Sequence, residues 1–135
     1  MSRGRHLPLL LLALAVVGCG SDTSTKPSDP TATTETFSSI VQKSGETTRS
    51  FTTTAQGVMT VTLTSLGQEA ASVRLGVGLS DAATGQCTPT FSVVTSVYAG
   101  RALSVKADIG HYCILVSDIG ELTNQANFTV SVTHF

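Results

Sequence analysis

Residues Met59-Thr60-Val61-Thr62-Leu63-Thr64 set an apolar side chain against a hydroxyl at every step. A repeat of two is the period of an extended chain, whose successive side chains leave on opposite faces, so this stretch reads as a half-buried β-strand with a threonine outer face. The pattern recurs at Val73, Leu75, Val77 and Leu79, which alternate with Arg74, Gly76, Gly78 and Ser80. It recurs again at Phe128, Val130 and Val132, which alternate with Thr129, Ser131 and Thr133. Further strands are expected at residues 36–42, 48–54, 91–97, 101–106 and 110–117, making about eight in all. Turn-forming residues separate them at Ser44-Gly45, Gln56-Gly57, Gly67, Ala83-Thr84-Gly85, Ala99-Gly100, 108–110 and 118–120. No segment long enough to matter shows a helical period, so the expected fold is all-β, an antiparallel two-sheet sandwich. In Tyr112-Cys113-Ile114-Leu115-Val116 both faces are apolar, which places this strand inside a sheet and not at its edge.

Outward from this region toward the N-terminus the composition changes. Between Gly20 and Glu35 the chain carries Pro27, Pro30 and many hydroxyls but no large apolar residue. Such a segment buries too little to offset the entropy of ordering it, and residues 19–36 are expected to form a flexible tether to a domain at 37–135. Before it, Arg3, Arg5 and His6 precede an uncharged run from Leu7 to Val17. That run falls well short of the roughly 20 apolar residues a spanning helix needs, so residues 1–18 read as a removable signal. The run ends in Val16-Val17-Gly18-Cys19, which resembles the lipobox of bacterial lipoproteins. The resemblance implies that Cys19 carries a diacylglyceryl group, that cleavage falls before it, and that its new amine is acylated too. Several chains on one residue make physical sense, because a single acyl chain binds a bilayer only marginally. Gly20 in place of Asp after the Cys implies sorting to the outer membrane of a two-membrane envelope.

The whole chain has 135 residues, 41% hydrophobic, and a formal charge of −1, which excludes a large multidomain enzyme and any basic field for nucleic acid. Without residues 1–18 two arginines are lost, leaving an acidic mature chain whose excess acid lies mostly in the tether. Of the three cysteines, Cys19 is taken by lipid, which leaves Cys87 and Cys113 to pair in an oxidising compartment. Their bridge would close a loop of about 26 residues and stabilise by roughly 3 kcal/mol in the chain-entropy account. A metal site would need two more ligands, and redox catalysis would favour Cys-x-x-Cys, which is absent.

The run Gly110-His111-Tyr112-Cys113-Ile114-Leu115-Val116-Ser117-Asp118, followed by Phe128-Thr129-Val130-Ser131-Val132, resembles the closing strands of bacterial pre-peptidase C-terminal domains. Gly57-Val58-Met59-Thr60-Val61-Thr62-Leu63 is similar to their inner strand. The resemblance implies a jelly-roll-like β-sandwich acting as an accessory module beside a secreted hydrolase. Here the module stands without an attached hydrolase, which implies a role toward a separate partner. The cysteine pair departs from the family pattern.

Catalytic chemistry finds little support. His111, Ser117 and Asp118 make a triad on paper, but 111 and 117 would stand about 20 Å apart on a strand. His111 is expected to be solvated at a strand start, and His134 to be a polar position beside the C-terminus. Asp118 and Glu121 read as turn residues rather than a glycosidase pair. With Asn124 they supply oxygens for a weak Ca²⁺ site, the one cofactor considered, although no regular calcium loop is present. For sugar stacking the candidates are Tyr98, beside a turn, and Phe135, while Tyr112 and the other phenylalanines are committed to the core by strand phase. The expected function is therefore a non-catalytic binding or scaffold module, monomeric, exported and held on the membrane by lipid. It would be presented to envelope proteins through a Thr/Ser-rich face or an exposed edge. The alternatives are a polysaccharide or cell-wall glycan module contacting ligand near Tyr98, and an accessory domain for a separate secreted hydrolase.

Overall fold

The computed structural model describes residues 28–135. The expected signal, Cys19 and the tether as far as residue 27 lie outside the described residues. Eight strands follow one another: β1 (Thr33–Val41), β2 (Glu46–Thr53), β3 (Gly57–Leu66), β4 (Val73–Ser80), β5 (Cys87–Thr95), β6 (Ala102–Ala107), β7 (Gly110–Asp118) and β8 (Ala126–His134). They form two four-stranded antiparallel sheets, which we call sheet A (β1-β8-β3-β6) and sheet B (β2-β7-β4-β5). The all-β sandwich expected from the period-two patterns is what the chain forms, and no helix occurs among the described residues.

The pairing is nested. β4 pairs with β5, β3 with β6, β2 with β7 and β1 with β8, as though one long hairpin had been rolled up from its tip. β3 with β8 and β4 with β7 then complete the sheets. This is the jelly-roll order, in which chain neighbours mostly lie in opposite sheets. Each strand contributes alternate residues to the space between the sheets. Val61 and Leu63 of β3 and Val130 and Val132 of β8 meet Val73, Leu75 and Val77 of β4 and Ile114 and Val116 of β7, all buried. The side chains are mostly branched aliphatics, each worth about 1.5–3 kcal/mol when fully buried, and they do the work that aromatic residues do in other sandwiches.

β7 is an interior strand, as its two apolar faces require. Cys113 and Leu115 point to the outer side of sheet B yet are buried, because the neighbouring positions on β4 are Gly76 and Gly78. β5 shifts register between Val77 and Gly78, with Thr90 as the extra residue, and its Pro89 lies on this edge strand where a missing N–H does least harm. The bulge draws the start of β5 inward over Gly78.

Two boundaries depart from the sequence reading. β1 begins at Thr33, inside the stretch expected to be tether, so the domain starts before residue 37. Thr33 to Thr36 lack apolar signal but pair with residues 131–134 of β8, and Glu35 has a buried partner there, His134. β5 begins at Cys87, not at residue 91, and its Pro89 is accommodated because the strand lies at an edge. A Cβ on residue 78 would run into the carbonyl oxygen of Thr88. Gly78→Ala should therefore cost about 3 kcal/mol in urea unfolding with the disulfide intact, an overpacking penalty borne by backbone; a loss under about 1 kcal/mol would refute the close approach of β5.

Candidate functional site

The outer face of sheet A is an array of hydroxyls. The strand register sets Thr34, Thr133, Thr60 and Ser104 side by side in one row across four strands. The next row is Thr36, Ser131, Thr62 and Ala102, and the third is Ser38, Thr129 and Ser65. Neighbouring strands lie about 4.8 Å apart and successive rows about 6.7 Å apart. Some members bond each other: Thr34 Oγ1 to Thr133 Oγ1 at 2.9 Å, Ser38 Oγ to Thr129 Oγ1 at 2.9 Å, and Thr60 Oγ1 to Ser104 Oγ at 3.2 Å. Lys106 is the one charged side chain among the outward positions of these strands. A hydroxyl both donates and accepts and rotates to suit, so such a face can meet a polar partner without desolvating charge.

The strands run so that the loops fall into two groups. Residues 42–45, 67–72, 96–101 and 119–125 lie at one end. The opposite end holds residues 54–56, 81–86 and 108–109 together with both the start of β1 and the end of β8. The chain therefore enters β1 at the second end, and the first end lies opposite it.

The far end is tied together by carboxylates and amides. Asp118 Oδ2 accepts the N–H of Ser44 at 2.8 Å, and its Oδ1 accepts those of Gly120, Glu121 and Leu122 at 2.9 to 3.1 Å. These donors, Ser44 foremost, hold the Asp118 carboxyl below its ordinary value of 3.8. Glu121 Oε2 accepts the N–H of Ser72 at 2.6 Å. Gln68 bridges to the N–H of Thr123 and the carbonyl of Asn124, each at 2.9 Å. The carboxylates considered for calcium, Asp118 and Glu121, thus accept backbone N–H groups. Among the described residues no group of three His, Cys, Asp or Glu side chains is placed to hold a metal.

Tyr98 is at the same end and 73% exposed. Its hydroxyl donates to Glu69 Oε2 at 2.8 Å, and that hydrogen bond, reinforced by the carboxylate's charge, raises the phenol's pKa. The ring is held at its tip by this bond and is otherwise largely exposed. Phe135 is placed differently: its ring lies against Gly57 at the end where β1 begins. His111 and Ser117 stand near opposite ends of β7, so the paper triad is not assembled, and His111 Nδ1 instead meets Thr52 Oγ1 at 3.2 Å.

Cys87 and Cys113 form a disulfide, with Cα atoms 5.7 Å apart. β4 lies between their two strands in sheet B, so the bridge passes over the outer side of β4 at its glycines.

Two features were missed in the sequence. His134, expected as a polar position beside the C-terminus, is buried, packed against Phe51 at 5.2 Å between centroids, with Nε2 2.8 Å from Glu35 Oε1. The available signal was phase, because both residues occupy core-facing positions of their strands. Beside them, the edges of β1 and β2 frame a cleft of about 310 Å³, with Arg49 lying 5.5 Å over the Phe37 ring and Ile114 and Phe128 contributing to its lining. Phe91 departs in the other direction: it has core phase yet is 56% exposed, because β5 is an edge strand.

Two outcomes are expected. Removing the bridge with Cys87→Ala and Cys113→Ala should lower unfolding free energy by about 3 kcal/mol, and thiol labelling of the folded native chain should leave both cysteines unmodified. Since the Asp118 carboxyl sits below its ordinary value when folded, its contribution is full above that value and fades as pH falls through the folded one. The gap in thermal midpoint between the native chain and Asp118→Asn should therefore be constant near neutrality and shrink below about pH 4; a gap unchanged down to pH 2 would show that the charge does not tie the loops.

No protein-family model matches this chain, and no curated protein matches it either.

Proposed function

We propose that this chain is a membrane-anchored lipoprotein, lipidated at Cys19, that presents a non-catalytic β-sandwich as a binding or scaffold module to proteins of a bacterial envelope. The observation that carries the reading is the hydroxyl array of sheet A. Soluble surfaces commonly carry about a quarter to a third charged residues, interspersed in sign. A four-stranded face with the single charge of Lys106 sacrifices that solubility device, and its use is contact. The disulfide fits an exported protein. The tether enters at one end of the sandwich, so the array runs along the flank of a domain standing off the membrane and stays open to neighbours.

The polysaccharide reading draws on a different observation, the exposed Tyr98 ring at the end away from the tether. One experiment separates the two. A photoreactive side chain in place of Thr62, at the middle of the array, is introduced into the full-length chain in its own cells. A discrete protein adduct should form, be lost with Ser131→Lys, weaken with Cys19→Ser, and be unaffected by Tyr98→Ala. Absence of an adduct, together with retention on insoluble glycan that Tyr98→Ala abolishes, would replace the protein-binding reading with the glycan one.

A further inference from the structure

Where the two sheets part between β1 and β2, core-facing positions carry polar side chains: Ser39 on β1, Thr47 and Arg49 on β2. Their register partners on the inner strands are Phe128, Val116 and Ile114, all buried. Apolar residues at the outer positions would have carried the core across and closed this flank. With these three the flank stays open as the cleft of about 310 Å³. The pattern is broken on both facing edges at once, which the fold does not require, and such breaks are expected where a surface is put to use.

The polar groups of the cleft have capacity left. The Arg49 guanidinium lies over the Phe37 ring, a contact that uses its charge but none of its N–H donors. Among the described residues it forms no ion pair, and the one carboxylate at a core-facing position of either edge, Glu35, is already taken by His134. Thr47 Oγ1 donates to the Ile40 carbonyl at 2.6 Å and keeps its lone pairs. That bond also shows the Ile40 carbonyl turned toward β2 and away from β8. Backbone groups alternate in direction along a strand, so those of Ser38 and Thr36 are open on the same side.

We propose that this cleft binds one acidic sugar unit, a hexuronate, with its carboxylate on the Arg49 guanidinium and its ring hydroxyls on Ser39, Thr47 and the open backbone of β1. Charge selects an anion, because the one unpaired charge facing the cleft is a cation whose fork of N–H donors matches a carboxylate. Volume selects a single ring. A cavity of about 150 Å³ takes up benzene, so roughly twice that space holds about twelve non-hydrogen atoms, a monosaccharide with its substituents.

The lining decides between a hydroxylated acid and an apolar one. Ile114 and Phe128 at the floor are 1% and 4% exposed and so offer the cleft no more than an edge. Apart from Phe37 and Arg49, the remaining side chains around it all carry hydroxyls. An apolar acid would leave these donors and acceptors unpaired, whereas sugar hydroxyls both give and accept. The inference stands on this flank, away from Tyr98, and does not depend on the function proposed above.

The test titrates the full-length chain in detergent with glucuronate and galacturonate at constant ionic strength, read by NMR at the Arg49 side chain and the amides of residues 36–39. Saturable shifts are expected with a Kd of about 1 mM, the level a ligand of this size reaches in an open site. Glucose, a similar ring without the charge, and 3-phenylpropionate, the charge on an apolar body, should each bind about tenfold more weakly or worse. Arg49→Gln should weaken the uronate about tenfold. Ser39→Leu, which fills the notch, should abolish the shifts without lowering the thermal midpoint, and Tyr98→Ala should change nothing. If Ser39→Leu fails to fold, Arg49→Gln at its exposed position still reads the site. A uronide trimer that binds more tightly than the monomer would support the site with a polymer as its source, and equal binding would support it with a free acid. No saturable shift up to about 30 mM, glucose or 3-phenylpropionate binding as tightly as the uronate, or an Arg49→Gln chain with unchanged affinity would each overturn the proposal.

Discussion

Because β4 and β5 are the only consecutive strands that pair with each other among the described residues, the turn between them is the tip from which every other pair is counted inward. Its geometry is set locally. Asp81 Oδ1 accepts the N–H groups of Ala83 and Thr84 and the hydroxyl of Thr84, and Gly85 takes the left-handed conformation that closes the turn. The tip is then locked to the rest of sheet B, since the start of β5 rides over Gly78 and the disulfide reaches across β4 to β7. Beside β4, β5 and β7 so tied together, β3 pairs with β6 in the other sheet, and β1 and β8 complete it.

Closing an eight-stranded roll leaves two open flanks, and the chain treats them differently. On the flank formed by β1 and β2, Glu35 and Arg49 point into the gap between the sheets and are satisfied there, one by buried His134 and the other by the face of Phe37. A charge so placed forbids a foreign strand from continuing the core and still costs little, because it is partnered and near water. Every buried side-chain nitrogen and oxygen among the described residues has a partner, so the device leaves nothing orphaned. The flank formed by β5 and β6 has only Lys106, on the outer side, and there the apolar interior reaches the surface.

The carboxylates Asp118 and Glu121, considered above for calcium, knit three loops at the end away from the start of β1, and Asp118 alone takes up four backbone donors. Polar contacts hold that end together with Ala71 and Leu122 of the same loops, which belong to the buried core. The broad face of sheet A is left to the hydroxyls, and its near absence of charge is its most unusual property.

Local chemistry fixed the strands, their two-faced character and the interior position of Tyr112 to Val116, because a period of two and a turn residue act over a few positions. Pairing is different in kind: which strands lie side by side depends on contacts between residues far apart in the chain, and period alone is silent about them. So the rows of hydroxyls across sheet A, the strand at Thr33 to Thr36, the burial of His134 against Glu35 and the exposure of Phe91 came only from tertiary structure. Thr33 to Thr36 had no apolar signal to offer, and Phe91 had one that its edge position contradicts. The amino-acid sequence by itself determined that this is a β-sandwich with a hydroxyl exterior. The rolled-up order of its strands decided which hydroxyls stand together and which edge is left without a charge, since only the fold sets distant residues side by side.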